Sequence, residues 1–469
     1  MYDFMSLLPL IIIVAGAIVL MLLAAYERVQ LDTASYIGMG FFGVAFFVQM
    51  VVGCGPNNVL FENVFNGMLM TSNFTMIAGL IIFGCGFFTA MSSHTYFKVN
   101  PFCTIEFYSI LMFGASGMLL LSMAQELITA FIALEIMSLS IYILVGYDRG
   151  NVTAAEAILK YLMLGAFAGA FFTMGTALVY GGAGSTKFVE ISSFMAANGG
   201  NTPLLIGGAF LIFVALLFKI AAFPFHAWVI DVYDGASAPV TGFMATALKT
   251  AVFALFANFL ALSGDLHAGW IDFLFYVAVL TMFGGNLVAI GQNNLKRMLA
   301  ASGIVHSGYL LIALVAISAD HFTGSVIGYY LAAYAVGTLG MFAALSYLGG
   351  EGEKRATFDD FKGLAKVRPY SAAAITVFLL SMAGIPPTAG FMGKFYIITS
   401  AISADQMALA VIGVVSSILS MWYYLRLIIK MYFHEAEESF ETVGSPLATA
   451  CTFALVFCVF AIGLYPIVI

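Results

Sequence analysis

The sequence predicts an all-α protein that crosses a membrane about fourteen times, and three observations predict it. Hydrophobic residues make up 62% of the 469-residue chain and charged residues 9%, against about 25% charge in ordinary soluble domains; the mean hydropathy is +1.03. Apolar runs of roughly 18 to 25 residues, long enough to cross a hydrocarbon core of about 30 Å, recur from end to end. Two of the few ionisable residues inside those runs stand near helix breakers, a pattern of interrupted membrane helices.

In order, the runs cover residues 5–25, 36–53, 70–91, 104–121, 125–146, 155–180, 204–227, 237–262, 268–290, 299–318, 322–347, 369–402, 406–430 and 446–467. The longest connectors, roughly 181–203 and 348–368, are too short for a separate soluble domain, so residues 1–469 read as one membrane domain. Asp3 precedes the first run and Arg28 follows it, which suits a reverse-oriented anchor and not a cleavable signal. With both termini on the outer side, inward loops carry Arg28, Lys98, Arg149, Lys296, Arg297, Lys354, Arg355, Lys362, Lys366, Arg368 and Lys430, and outward loops carry only Lys187. That bias follows the positive-inside rule.

Several function classes are excluded on composition. Cys54, Cys85, Cys103, Cys451 and Cys458 form no CxxC or Cys/His pattern and read as small apolar fillers, which argues against an iron–sulfur cluster or structural zinc. The net charge of −7 comes partly from HEAEESFE (434–441), a solvated tail, and nothing suggests nucleic-acid binding. The GGAGST run (181–186) lacks the lysine spacing of a phosphate loop and reads as a connector.

Lys219 lies in LLIGGAFLIFVALLFKIAAFPF, Lys249 in PVTGFMATALKTAVFALF, Lys394 in LSMAGIPPTAGFMGKFY and Glu135 in ELITAFIALEIMSLSIYIL. A charge at such depth costs about 2.5 to 3.5 kcal/mol on the insertion scale and marks an interior or wet path for ions. Pro224 follows Lys219, and Gly384, Pro386, Pro387 and Gly390 precede Lys394; proline frees a backbone carbonyl in the turn before it. The interrupted runs are the seventh and the twelfth. An odd offset of five helices inverts direction across the bilayer, so spans four to eight (104–262) and nine to thirteen (268–430) read as two inverted five-helix repeats. Three N-terminal helices (1–103) precede them and a C-terminal helix (446–469) follows.

Burial disfavours a charged amine and a nearby carboxylate restores it, so such a pair can switch a proton on and off. Glu135 and Lys219 are the candidate pair. Lys249 has no acidic neighbour on its own helix and is a relay group or is paired across helices. Lys160 follows Glu156 by four residues, the favourable order for a helical ion pair. His226, after the first break, and His306, in NLKRMLAASGIVHSGYLL, are candidate relay members, since histidine transfers protons near neutral pH. His94, His267, His321 and His434 fall in or beside loops and read as incidental.

The strings FKIAAFPFHAWVIDVYDGASAPVTGFMATALKTA, NNLKRMLAASGIVHSGYLL, LSMAGIPPTAGFMGKFYI and ALEIMSLSIYIL resemble the antiporter-like subunits of proton-pumping NADH:quinone oxidoreductase, respiratory complex I, and among them the subunit N pattern. The likeness runs from roughly residue 100 to 430. Lys394 in the twelfth span fits the N pattern, where another branch carries glutamate. Ile230 stands where proline is expected, a departure that leaves the ionisable set intact. The resemblance implies that Glu135 and Lys219 form the ion pair of a first half-channel, that Lys249 is the central lysine, and that Lys394 serves the second half-channel. It also implies His226 and His306 on a hydrated axis joining them and Lys160 as an auxiliary. It implies no redox cofactor in this chain, with NADH, FMN, iron–sulfur clusters and quinone in partner subunits. The implied partners are homologous membrane subunits, a peripheral redox arm and the lipids of an energy-conserving, bacterial inner membrane. Two other functions fit the same residues: a subunit of a multi-subunit cation/proton antiporter, and a structural membrane subunit without its own proton path.

Overall fold

A computed structural model of the chain describes residues 6–26, 30–54, 64–198, 202–262, 265–317, 324–436 and 445–465. The side chains of Cys54 and His267, the whole of His321 and most of the acidic tail lie outside the described residues. Among the described residues fourteen helical spans, two of them interrupted, follow one another at the positions the apolar runs predict. They are α1 (Leu8–Ala25), α2 (Leu31–Cys54), α3 (Asn73–Val99), α4 (Glu106–Met123), α5 (Leu127–Val145), α6 (Val152–Ala183), α7a (Pro203–Lys219) with α7b (Ala227–Gly235), and α8 (Ala238–Phe243, then a π-helical turn Met244–Leu248, then Lys249–Leu262). Then come α9 (Asp265–Ile290), α10 (Leu295–Val315), α11 (Gly324–Leu348), α12a (Pro369–Ala383) with α12b (Ala389–Ser403), α13 (Met407–Phe433) and α14 (Pro446–Leu464). The 181–203 connector contains a short helix, Phe188–Asn198.

Helices α8 and α10 are the axis of the bundle. Their most apolar stretches are 100% buried, whereas those of α1 and α14 are 28% buried and present their apolar side chains outward. A lysine on α8 therefore faces protein. Asn294 caps α10, its side chain accepting from the Lys296 and Arg297 amides, which satisfies donors a helix start leaves open.

Both expected interruptions are present. After Lys219 the chain leaves the helix, and the carbonyls this frees find partners: Phe218 accepts from Trp228 Nε1 at 3.1 Å and Ile220 from Ser307 Oγ at 2.8 Å. The Phe223 amide donates to Thr281 Oγ at 3.0 Å. In the twelfth span Gly384 ends α12a with φ at +85°, a conformation that favours glycine. Gly390 lets α12b approach so closely that a Cβ there would meet the Ser381 carbonyl at 1.8 Å. Buried backbone polar groups are thus satisfied at membrane depth, as an interrupted helix requires.

The two breaks are not equivalent along the chain. Lys219 is the last residue before its break, while Lys394 follows its break inside α12b. The inverted reading accounts for the recurrence of the break and not for a shared lysine position.

Candidate ion-translocation site

Lys219, Lys249, His306 and Lys394 are 1%, 3%, 4% and 6% exposed, so none of them points to the outer surface of the bundle. Each is held by neutral groups.

Lys219 Nζ donates to Ser138 Oγ at 2.8 Å and to Tyr142 OH at 3.3 Å, both on α5. The expected contact with Glu135 is corrected here: among the described residues no ion pair joins the two, although Glu135 remains close enough to act on the amine through space. The reason is register. Ser138 and Tyr142 lie three and seven residues after Glu135, one and two turns along the same face, and the amine sits at their level. Glu135 is half-buried and lies against α6 at Gly169. Beside it, Ile128, Ile132, Ile136, Leu139 and Ile143 form an exposed apolar stripe on α5.

Lys249 opens the last segment of α8, directly after the π-helical turn. Its ammonium donates to the Gly303 carbonyl on α10 and lies 5.5 Å from the Tyr334 ring centre. Ser307 Oγ lies 3.1 Å from the same carbonyl and donates to Ile220 at the first break, so the central lysine and the broken seventh span share one polar junction.

One turn beyond Gly303, His306 shares hydrogen bonds with Tyr330 OH at 2.7 Å through Nδ1 and with Tyr424 OH at 3.2 Å through Nε2. The Tyr424 hydroxyl is also bonded to Ser302. Lys394 Nζ donates to the Ala383 carbonyl at 2.9 Å and Ser417 Oγ at 3.0 Å, and lies 5.0 Å from the Tyr309 ring centre. Between His306 and Lys394 is a cavity of about 10 Å³ lined also by Tyr330, Tyr334 and Ser381, about the room one water needs.

His226 and Lys160 stand apart from this line. His226 stacks on Phe223 at the first break, and its Nδ1 is buried without a partner. Lys160 makes the expected pair with Glu156, at 2.6 Å, and a second with Asp231 of α7b at 2.7 Å. Arg297 bridges Asp231 and Asp234, each at 3.2 Å, and completes a charged network tying α6, α7b and α10 together.

Two other readings change. Lys296, counted among loop cations, is buried at the start of α10 and paired with Glu353 at 2.6 Å. His94, read as incidental, is buried on α3 and bonded to Ser35 at 2.7 Å. Tyr330, Tyr334 and Tyr424, which surround His306 from α11 and α13, were not among the predicted residues, because their runs carry no proline and no lysine or carboxylate at mid-span.

A membrane bundle with two interrupted helices and a buried line of amines, imidazole and hydroxyls defines an ion-translocating subunit of the transporter type. The chain belongs to the family described as NADH:quinone oxidoreductase/Mrp antiporter, TM, whose model matches residues 124–420. It is 41% identical over 391 residues to NADH-quinone oxidoreductase subunit N of Trichlorobacter lovleyi, covering 82% of this chain and 80% of that one. It is 36% identical to subunit N 1 of Solibacter usitatus, covering 99% of this chain and 95% of the relative. A chain in respiratory complex I from Thermus thermophilus with bound aureothin superposes with a TM-score of 0.82 at 30% identity, covering 98% and 97% of the two chains.

Proposed function

We propose that this chain is the N-type, non-redox membrane subunit of an NADH:quinone oxidoreductase and translocates protons through two half-channels joined at Lys249. The observation that carries this reading is the buried line from Lys219 and the Ile220–Ser307–Gly303 junction through Lys249 to His306 and Lys394. Glu135 biases the amine at one end. Charges arriving from a neighbouring subunit act on it across the partly exposed α5–α6 face. Quinone reduction takes place in partner subunits, which also hold the NADH, flavin and iron–sulfur groups. What supports membership of such an assembly is the relatives' printed name, NADH-quinone oxidoreductase subunit N. The loops rich in lysine and arginine face inward and both termini outward, in the bacterial inner membrane.

The family description also includes the Mrp antiporter, which keeps a cation/proton antiporter subunit as the second reading. Purification of the native assembly separates the two. The first reading expects co-purifying flavin and iron–sulfur protein with NADH-driven proton uptake; sodium/proton exchange without any quinone reductase overturns it.

A further inference from the structure

A cavity of about 530 Å³ opens at the end of the bundle that carries the basic loops, between α3, the α5–α6 loop, α7b and the 349–368 loop. At its floor Lys296 Nζ donates to Glu353 Oε2 and to the Ala236 carbonyl, both at 2.6 Å. Glu353 Oε1 in turn accepts the amide of Ala238, the first residue of α8, at 2.7 Å. One pair, its lysine buried and its glutamate partly exposed, thus ties together the end of α7b, the start of the helix carrying Lys249 and the start of the helix carrying His306.

Lys296, Glu353 and Ala356 line both the open vestibule and a second void of about 10 Å³, whose other walls are Ala238, Leu295, Leu345, Gly349 and Arg355. The loop that presents Glu353 is wound unusually: Gly350, Gly352 and Glu353 have φ of +74°, +66° and +51°. Glycine adopts this region freely, whereas a glutamate held there carries strain that tends to persist at switching sites. The groups facing the pair are Tyr96 from α3, Asp148 from the α5–α6 loop, Asp234 from α7b, and Glu351 and Arg355 from its own loop. Buried ion pairs add little net stability, which leaves the position of this one, in the lining of two cavities, as the feature to explain.

We propose that Lys296 and Glu353 form the entrance gate of the proton path. This rests on the translocation function proposed above and adds its mouth. A proton from vestibule water binds Glu353 Oε2, neutralises the carboxylate and breaks its hydrogen bond to Lys296, whose ammonium stays bonded to Ala236. The proton then leaves to water in the second void and the ion pair re-forms. One proton enters and one leaves, with no other bond changed.

The test is electron-transfer-driven proton uptake by the intact assembly in sealed vesicles, over a pH series on the vestibule side. Glu353→Gln is expected to assemble, to lower uptake by about tenfold or more, and to remove the pH dependence seen in the parent. Should Glu353→Gln fail to assemble, Glu353→Asp, which keeps the charge on a shorter arm, is expected to assemble with slower uptake and a displaced pH profile. Parental uptake and profile in either assembled variant overturns the gate. Lys249→Ala run in parallel separates the two claims: if it abolishes uptake while the Glu353 variants are silent, the gate alone falls; if it too is silent, the translocation function falls.

Discussion

The two lysine sites beside the broken helices differ in their surroundings, and the difference bears on how a proton would be driven. Lys219 is buried against α5, where Glu135 stands half-buried at the edge of an exposed apolar stripe. Lys394 is held by a backbone carbonyl, Ser417 and the Tyr309 ring, with His306 across a water-sized cavity and, among the described residues, no carboxylate hydrogen-bonded to it. Charge–charge energies scale inversely with the local dielectric, so a charge moving near the α5–α6 face acts on Lys219, while Lys394 responds chiefly to what Lys249 and His306 deliver. One amine has a carboxylate on the neighbouring helix and the other has only neutral partners among the described residues.

The largest effect is expected where the two sites meet. Lys249→Ala removes the amine bonded at the Gly303 junction and is expected to suppress proton translocation by about a hundredfold, within the range for loss of a positioned acid–base group. Lys249→Arg keeps the positive charge but a guanidinium does not release its proton, so it is expected to fail equally; recovery with arginine would make the role structural.

A smaller effect sharpens the contrast between the ends. Glu135→Gln is expected to slow translocation by about tenfold, the change that about 1.4 kcal/mol produces, whereas Ser417→Ala, which removes a neutral acceptor from Lys394, is expected to slow it by about twofold or less. Vesicle proton-uptake rates at matched assembly levels check both. Equal effects would erase the distinction between the two sites.

Next comes packing at the second break. Gly390→Ala places a methyl at 1.8 Å from the Ser381 carbonyl, and overpacking of this kind costs about 1 to 3 kcal/mol. Lower thermal stability of the assembled complex is expected. An unchanged melting temperature would mean that the α12a–α12b approach is looser than described.

The smallest effect belongs to the surface. Lys430 and Lys362 beside Asp359 hold its carboxyl below the ordinary 3.8. A carboxyl held low contributes stability that is present above its ordinary pKa and is lost as pH falls through the folded value. The thermal stability difference between parent and Asp359→Asn is therefore expected to be slight at neutral pH, to fade below about pH 4 and to shrink with salt, since Asp359 is exposed.

The helices and breaks were legible because length, Pro/Gly placement and isolated lysines are local signals. The span positions and the breaks at Pro224 and Gly384–Gly390 needed no knowledge of neighbours. What escaped depends on register between helices. Glu135 and Lys219 share the right pair of helices, yet one turn of α5 puts Ser138 and Tyr142 in front of the amine. Lys296 looked like a loop cation because its partner, Glu353, lies 57 residues away in a connector. The π-helical turn before Lys249 has no breaker to announce it. Tyr330, Tyr334 and Tyr424 are aromatic residues among many, and only packing brings them to His306.

The claim at the centre of this account is that buried amines in this bundle pass protons through Lys249. The most direct measurement is the rate of proton translocation, at fixed electron input, by a fully assembled complex carrying Lys249→Ala in sealed vesicles. Loss of translocation with the complex intact is the predicted result; translocation at the parental rate would contradict it.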